Sequence, residues 1–295
     1  MSEESINVIS YSQPVQRLWE MMASCTICPH NCKVNRLEGQ IGYCGIGSLP
    51  KVSSAEPHFG EEDVLVGAGG SGTIFFAGCN LRCIFCQNYD ISQLRHGQET
   101  SIKKLAEAML ELQNYGCSNI NLVTPTHIVA PAMAAVEEAR EEGLKLPIVY
   151  NTGGYDSVET LKLLDGFVDI YMPDMKYFDP KTASELSGAA DYPDVNRQAV
   201  KEMHHQVGDL VEKDGIAVKG LLVRHLVLPN RLAGSFEIID FLAKKLSIST
   251  TINVMDQYHP CYKAAEDERI NRYPTAEEIS EVRQYAKEKG LNVLR

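Results

Sequence analysis

From residue 73 onward, short runs of β-branched and aromatic residues alternate with stretches whose apolar positions recur every three to four residues. The run 73–77 predicts a strand. Ile102–Tyr115 predicts a helix that places Leu105, Met109 and Leu112 on one face. A strand over 119–123 follows, then a helix opening at Pro131 and stopping near Gly143, with proline in a permitted first-turn position and glycine as the stop. The alternation continues as strand 148–151, helix 158–164, strand 168–172, helix 197–210, strand 221–228, helix 236–245 and strand 252–255. A last helix is announced by Thr275 and Glu278, the pair of a capping box. Asp214 and Gly215, between Val211 and Val218, mark a short hairpin ahead of the fifth strand. These are six βα units whose strands carry little polar alternation, the pattern of a parallel sheet covered by helices. Six repeats fall short of the closed eight-stranded barrel. The expected fold class is therefore α/β, a partial (β/α)6 barrel.

Residues 1–72 show little periodicity and much Gly, Pro and Cys, which predicts a small loop-rich module held by metal, with the barrel core over 73–295. The 295 residues are 44% hydrophobic and 23% charged, enough for a sizeable core and unlike a disordered chain. A net charge of −11 without a Lys/Arg cluster disfavours a nucleic-acid partner. The longest uncharged stretch, 112–136, is broken by Gln113, Asn114, Asn119, Asn121, Pro125 and His127, too polar to span a membrane. The first ten residues carry neither a basic nor an apolar targeting region, so a cytoplasmic location without a membrane partner is expected.

The nine cysteines are clustered: Cys25, Cys28, Cys32 and Cys44 form one group and Cys79, Cys83 and Cys86 another, with Cys117 and Cys261 apart. Clusters of odd total in such a chain point to metal rather than disulfides. The triplet directly follows a strand, at the end of a parallel sheet where sites gather. Structural zinc wants four protein ligands, and Asp90 and His96 are the local candidates for a fourth. Three cysteines suit a [4Fe–4S] cluster with one iron open to an exogenous ligand. A dithiol at Cys83 and Cys86 would leave Cys79 unexplained.

The spacing Cys79-x3-Cys83-x2-Cys86, with Phe85 before the third cysteine, resembles the radical S-adenosylmethionine (SAM) superfamily. The surrounding Gly-Cys-Asn-Leu-Arg-Cys-Ile-Phe-Cys-Gln-Asn is similar to the pyruvate formate-lyase activating enzyme branch and its PflX-like members, as are segments 70–76, 121–127, 173–177 and 256–260. The resemblance implies that the open iron chelates the amino and carboxylate groups of SAM, and that one electron cleaves it to methionine and a 5′-deoxyadenosyl radical. It implies a glycyl-radical enzyme as partner and a flavodoxin or ferredoxin as reductant. Where the family carries Gly-Gly-Glu, this chain has Thr124-Pro125-Thr126-His127. Thr124 and Thr126 become the polar contributors there, and His127 a proton donor, substrate contact or plain loop residue.

In the same branch the equivalents of Asn151, Thr152, Met172 and Asp174 surround a monovalent cation near SAM, with Asn151 here replacing an acid. Lys176 fits a charge partner for a carboxylate. Arg224, inside the apolar fifth strand, requires an anionic or carbonyl partner, and the family places an arginine from this strand near SAM. His225 points to the opposite face. His259 is placed by analogy near adenine or substrate, Cys261 beside that wall, and Cys117 in packing.

Cys25-x2-Cys28-x3-Cys32-x11-Cys44, with Pro29, Gly42 and Gly45 permitting tight turns, satisfies either zinc or an auxiliary iron–sulfur cluster. His30 and His58 are alternate ligands that four thiolates make unnecessary. The functions in play are glycyl-radical activation, radical modification of a small metabolite or another protein side chain, and an iron–sulfur electron carrier or redox sensor.

Overall fold

Strands rich in apolar residues can be buried on both faces, and the computed structural model, which describes residues 8–294, lays seven strands side by side and parallel. In chain order the strands are β1 (Lys51–His58), β2 (Ser71–Phe76), β3 (Gln98–Glu99), β4 (Ile120–Val123), β5 (Ile148–Thr152), β6 (Ile170–Pro173), β7 (Val211–Lys213), β8 (Ile216–Leu226), β9 (Thr251–Met255) and β10 (Asn292–Val293). In space they run β10-β9-β8-β6-β5-β4-β2-β1-β3, with β7 paired to β8 off that path. The run from β2 to β10 is parallel, while β1, β3 and β7 pair antiparallel. The order advances one way along the chain and its two ends differ, giving a barrel left open.

Alternation within a strand sorts the core into two layers. Ile148 and Tyr150 of β5 face an outer layer against the helices. Val149 between them faces an inner layer with Ile170, Met172 and Leu222. Leu65, from the short helix Asp63–Val66, enters that inner layer, so a segment preceding β2 stoppers the barrel.

Several expectations are corrected. The first 72 residues contain a helix, Gln13–Ala23, whose Val15, Leu18, Trp19 and Met22 join the outer core of the barrel. They also contain β1, which Pro57 and the polar Ser53, Ser54 and Glu56 obscured: only Lys51 and Val52 pair on its far side, so it behaves as an edge that tolerates proline. The helix expected from Pro131 starts at Val129. The one expected over 197–210 is Tyr192–Val207, with Pro193 in its first turn and Gly208 at its end. Helix Pro180–Ser187, capped by Asp179 accepting from Thr182 N–H, was not expected. The hairpin forms with both Asp214 and Gly215 left-handed (φ 54° and 79°), as a two-residue turn requires, and the Thr275–Glu278 capping box is complete. Among the described residues no helix is long and apolar enough to cross a membrane.

Candidate functional site

The loop after β2 carries Cys79, Cys83 and Cys86 into a cavity of about 840 Å³ at the carboxyl ends of the strands. Each sulfur meets a polar group. Leu81 N–H donates to Cys79 Sγ (3.3 Å), Ser187 Oγ donates to Cys83 Sγ (3.0 Å), and the Ser92 hydroxyl lies 3.1 Å from Cys86 Sγ. Burial pushes all three thiols up, Cys79 to about 12, while Lys176 pulls the other way. Buried thiols with hydrogen bonds at sulfur and a nearby ammonium suit iron–sulfur ligation, where such bonds tune the cluster. Neither Asp90 nor His96 lines the cavity. Among the described residues no three Cys, His, Asp or Glu side chains converge tightly enough to hold a single ion, a condition that thiolates binding separate irons need not meet. The donor set fits a cluster whose fourth iron faces the cavity.

Opposite the thiols, β5, β6 and β8 bring Asn151, Asp174, Lys176 and Arg224 together. Asp174 accepts from Lys176 Nζ (2.5 Å) and Arg224 Nε (3.1 Å), and Arg224 Nη2 donates to Asn151 Oδ1 (2.7 Å). Burial opposes the charge on Asp174, but Lys176 and Arg224 outweigh it and hold the carboxyl below its usual range. Burial also opposes Lys176, and Asp174 reverses this, raising the ammonium to about 12. The guanidinium thus bridges Asn151 and Asp174, two of the four residues that the resemblance placed around a monovalent cation. With two positive charges already on Asp174, the donor set does not fit a further one.

Thr124 and Thr152 line the cavity, whereas Thr126 sits behind it. Thr126 Oγ1 lies 3.0 Å from Thr152 Oγ1 and donates to buried Asp156 (2.7 Å), which also accepts from Tyr150 and Thr152. Thr124 is left-handed (φ 59°), a conformation suited to glycine, the residue that the resemblance places in this segment. His127 is fully buried, with Nε2 2.9 Å from Ala77 O, and burial lowers it to about 3, so it is a neutral packing residue outside the cavity. Phe85 lines the cavity and meets Tyr258 edge-on.

His259 does not itself line the cavity but sits against two residues that do, its Nδ1 3.2 Å from the Gln87 amide and 3.4 Å from Gln257 O. Cys261 Sγ rests on Phe85 O, His225 bonds Met175 O and Ser235, and Cys117 is buried in the outer core.

The floor held residues that sequence reasoning passed over. Glu61 and Glu62, from the stopper segment, line the cavity, with Glu61 3.8 Å from Arg224 and Glu62 accepting from Asn253 (2.9 Å). Burial and the neighbouring Glu62 raise Glu61 against the pull of Arg224. His58, considered for the amino-terminal cysteines, lines this floor instead. The Gly-Glu-Glu-Asp run was readable only as a polar turn, because nothing local indicates that it enters a barrel. Cys25, Cys28, Cys32 and Cys44 lie outside the cavity, the first, second and fourth buried.

Comparison with known proteins agrees with this geometry. A profile of the radical SAM superfamily matches residues 73–218. The chain is 36% identical over 281 residues to the uncharacterized protein MJ0674 of Methanocaldococcus jannaschii, covering 92% of this chain and 76% of that one. It is 27% identical over 273 residues to MJ0808 of the same organism, covering 84% and 74%. Among solved structures, a radical SAM methyltransferase from Sphaerobacter thermophilus superposes with a TM-score of 0.52 at 16% identity, covering 75% of this chain and 64% of that one. Streptococcus suis SuiB bound to S-adenosylmethionine superposes at 0.50 and 15%, covering 73% and 47%. The chain therefore spans about half the length of SuiB and under two thirds of the methyltransferase, and these likenesses speak for the fold. Three cysteines at the first parallel strand, an open barrel around them and the superfamily profile agree, and residues 73–218 form a domain of the radical SAM superfamily.

Proposed function

We propose that this radical SAM enzyme activates a glycyl-radical partner protein by removing a backbone glycine hydrogen. When bound at Cys79, Cys83 and Cys86, a [4Fe–4S] cluster with SAM supplies a 5′-deoxyadenosyl radical for hydrogen abstraction. The chain's own residues orient and shield. Arg224 and Lys176 offer positive charge to the SAM carboxylate, and Thr124, Thr152 and Asn151 offer polar atoms beside it. Phe85, Leu81, Leu226 and Met255 exclude water from that end.

The observation that carries the protein-substrate reading is the rim. Exposed Gln87 lines the cavity and bonds His259, on which Tyr273 stacks (6.5 Å), and Tyr89, two residues after Gln87, stacks on Tyr262 (4.9 Å), all three tyrosines being exposed. Aromatic side chains with a polar tip favour protein contact. A flavodoxin or ferredoxin in the cytoplasm would deliver the electron.

The test is anaerobic: reconstituted enzyme, SAM, dithionite and pyruvate formate-lyase as probe partner, read for 5′-deoxyadenosine and for a glycyl radical by paramagnetic resonance. A glycyl radical supports the reading. 5′-Deoxyadenosine without one, for this probe and for glycine-centred peptides, overturns it. The acidic floor at Glu61 and Glu62 favours the second reading, abstraction from a small polar metabolite, which predicts that 5′-deoxyadenosine rises with metabolite and not with protein.

A further inference from the structure

The four amino-terminal cysteines take no part in the cavity, and Arg36 beside them has no ordinary explanation. Its guanidinium is 1% exposed, as deep as the aliphatic core. Nε and Nη2 donate to Gly47 O (3.1 and 2.6 Å), and Nη1 donates to His127 O (2.6 Å) and toward Cys25 Sγ (3.9 Å). Two carbonyls satisfy its hydrogen bonds without balancing its charge, and among the described residues no carboxylate is its partner. A buried cation left so is strongly unfavourable. Among the described residues its one partner able to carry negative charge is Cys25, and metal coordination is what makes a thiolate of a buried cysteine.

The surrounding chain is shaped for sulfur. Cys25 N–H bonds Val34 O (2.9 Å) and Lys33 N–H bonds Cys25 O (3.1 Å), folding 25–34 into a narrow loop with Cys28 and Cys32 toward its tip. A Cβ at Gly42 would stand 2.5 Å from Cys32 Sγ, so the facing strand of chain is bare where that sulfur sits.

We propose that Cys25, Cys28, Cys32 and Cys44 hold a tetrathiolate metal centre, a zinc ion or an iron–sulfur cluster, whose net negative charge is neutralised by Arg36. Four thiolates outweigh a dipositive zinc ion or cluster core, so both sources share the anionic character that the guanidinium answers. No three of these side chains already converge on a single-ion site. They close on the metal as it binds, or each takes a separate iron. The centre abuts the triplet loop. His30 Nε2, from between Cys28 and Cys32, lies 2.7 Å from Asn80 O, and Arg82 donates to Tyr43 O while its guanidinium covers the Tyr43 ring at 4.2 Å. Asn80 and Arg82 both lie between Cys79 and Cys83, so each cysteine motif grips the other. This inference is independent of the glycyl-radical reading.

The experiment uses the full chain with Cys79, Cys83 and Cys86 changed to Ala, which removes the first cluster and leaves the quartet. It is purified with zinc present and again after anaerobic reconstitution with iron and sulfide, and metal and sulfide are counted by mass spectrometry and colorimetry. The expected result is one zinc per chain, or iron with matching sulfide and a charge-transfer absorption. Adding Cys28→Ala and Cys44→Ala should abolish it. Arg36→Met should release the metal to a chelator at least tenfold more readily, with Arg36→Lys restoring most of the retention. A triple variant that folds by circular dichroism yet holds neither metal overturns the proposal, as does metal that survives loss of Cys28 and Cys44. Arg36→Met retaining metal as tightly as Arg36 overturns the counter-charge.

Discussion

The two cysteine groups are held by opposite means. Cys79, Cys83 and Cys86 ride on a loop fixed by a parallel sheet, with Leu81, Ser92 and Ser187 already donating or close to their sulfurs. The quartet rides on turns, and its contact with the outer core comes through Cys25 and Cys44 and a buried arginine. A site built on strand ends is preorganised by the core beneath it, whereas a site built on turns depends on what it binds. The expected effects below separate these two modes, beginning with the largest.

Replacing Cys79, Cys83 and Cys86 together by Ala should abolish 5′-deoxyadenosine formation while thermal unfolding shifts little, because the β2 loop is held by hydrogen bonds such as Arg82 N–H to Ser187 O (3.0 Å). Chromatographic quantification beside a melting curve checks both halves. A collapsed melting temperature would show that the strand-end site also depends on its metal, and the contrast would fail.

Asp174→Asn attacks the sheet-built site at its electrostatic centre. Asp174 is 13% exposed and serves Lys176 and Arg224 at once, so its loss leaves Arg224 with only the more distant Glu61 (3.8 Å) and removes the one ion pair that Lys176 makes among the described residues. The expected cost is about 3 kcal/mol in denaturant unfolding. SAM affinity by equilibrium dialysis should fall roughly tenfold, about 1.4 kcal/mol. An unchanged unfolding midpoint would mean that water screens the network.

The same contrast explains what could be read in advance. Six strands announced themselves by uninterrupted apolar runs, because a parallel strand buried on both faces has no polar side to confuse the pattern. Asn151, Asp174, Lys176 and Arg224 stood at or near the ends of such strands, and the sheet necessarily brought them together. The amino-terminal region offered no comparable period. Helix Gln13–Ala23 buries four apolar residues, and β1 shows a mixed face with Pro57, both too short to overrule the turn residues around them. Glu61, Glu62 and Arg36 acquired their roles only from tertiary placement: the first two by entering the barrel, the third by lying under the cysteines.

Acid should act first on the barrel's interior. His127 and His225 are buried neutral, lowered to about 3 and about 4 by desolvation. Between those values and about 6.5 the unfolded chain binds protons that the folded one refuses, so stability is complete above that upper value and lost as pH falls. Each histidine contributes up to about 1.4 kcal/mol per pH unit in its window. His127→Gln should flatten the pH dependence of urea unfolding between pH 6 and 4, on the order of one histidine's share; an unaltered slope would place the proton uptake elsewhere.

On the turn-built side, Gly42→Ala should cost about 1 kcal/mol of metal-loaded stability, because its methyl must displace Cys32 Sγ from 2.5 Å. Chelator-stripped protein should be nearly indifferent, since without metal the sulfur is free to turn aside. Equal losses in both states would assign the glycine to packing alone.

The smallest effect tests the one strained residue at the sheet-built site. Thr124 adopts φ 59°, which costs an L-residue roughly 1–2 kcal/mol, and Thr124→Gly relieves that strain. Glycine also gives the unfolded chain more freedom, costing about 0.5–1 kcal/mol in return. The net stabilisation is then about 0.5 kcal/mol, measurable as a slight rise in urea midpoint. Thr124→Ala keeps the strain and removes only the hydroxyl, so the two variants separate backbone from side chain. If Thr124→Gly stabilises while both variants weaken SAM binding, the hydroxyl contacts the ligand and the strain is the cost of placing it there. If binding is unchanged in both, only the backbone of this turn serves the site, and threonine occupies a position whose geometry asks for glycine.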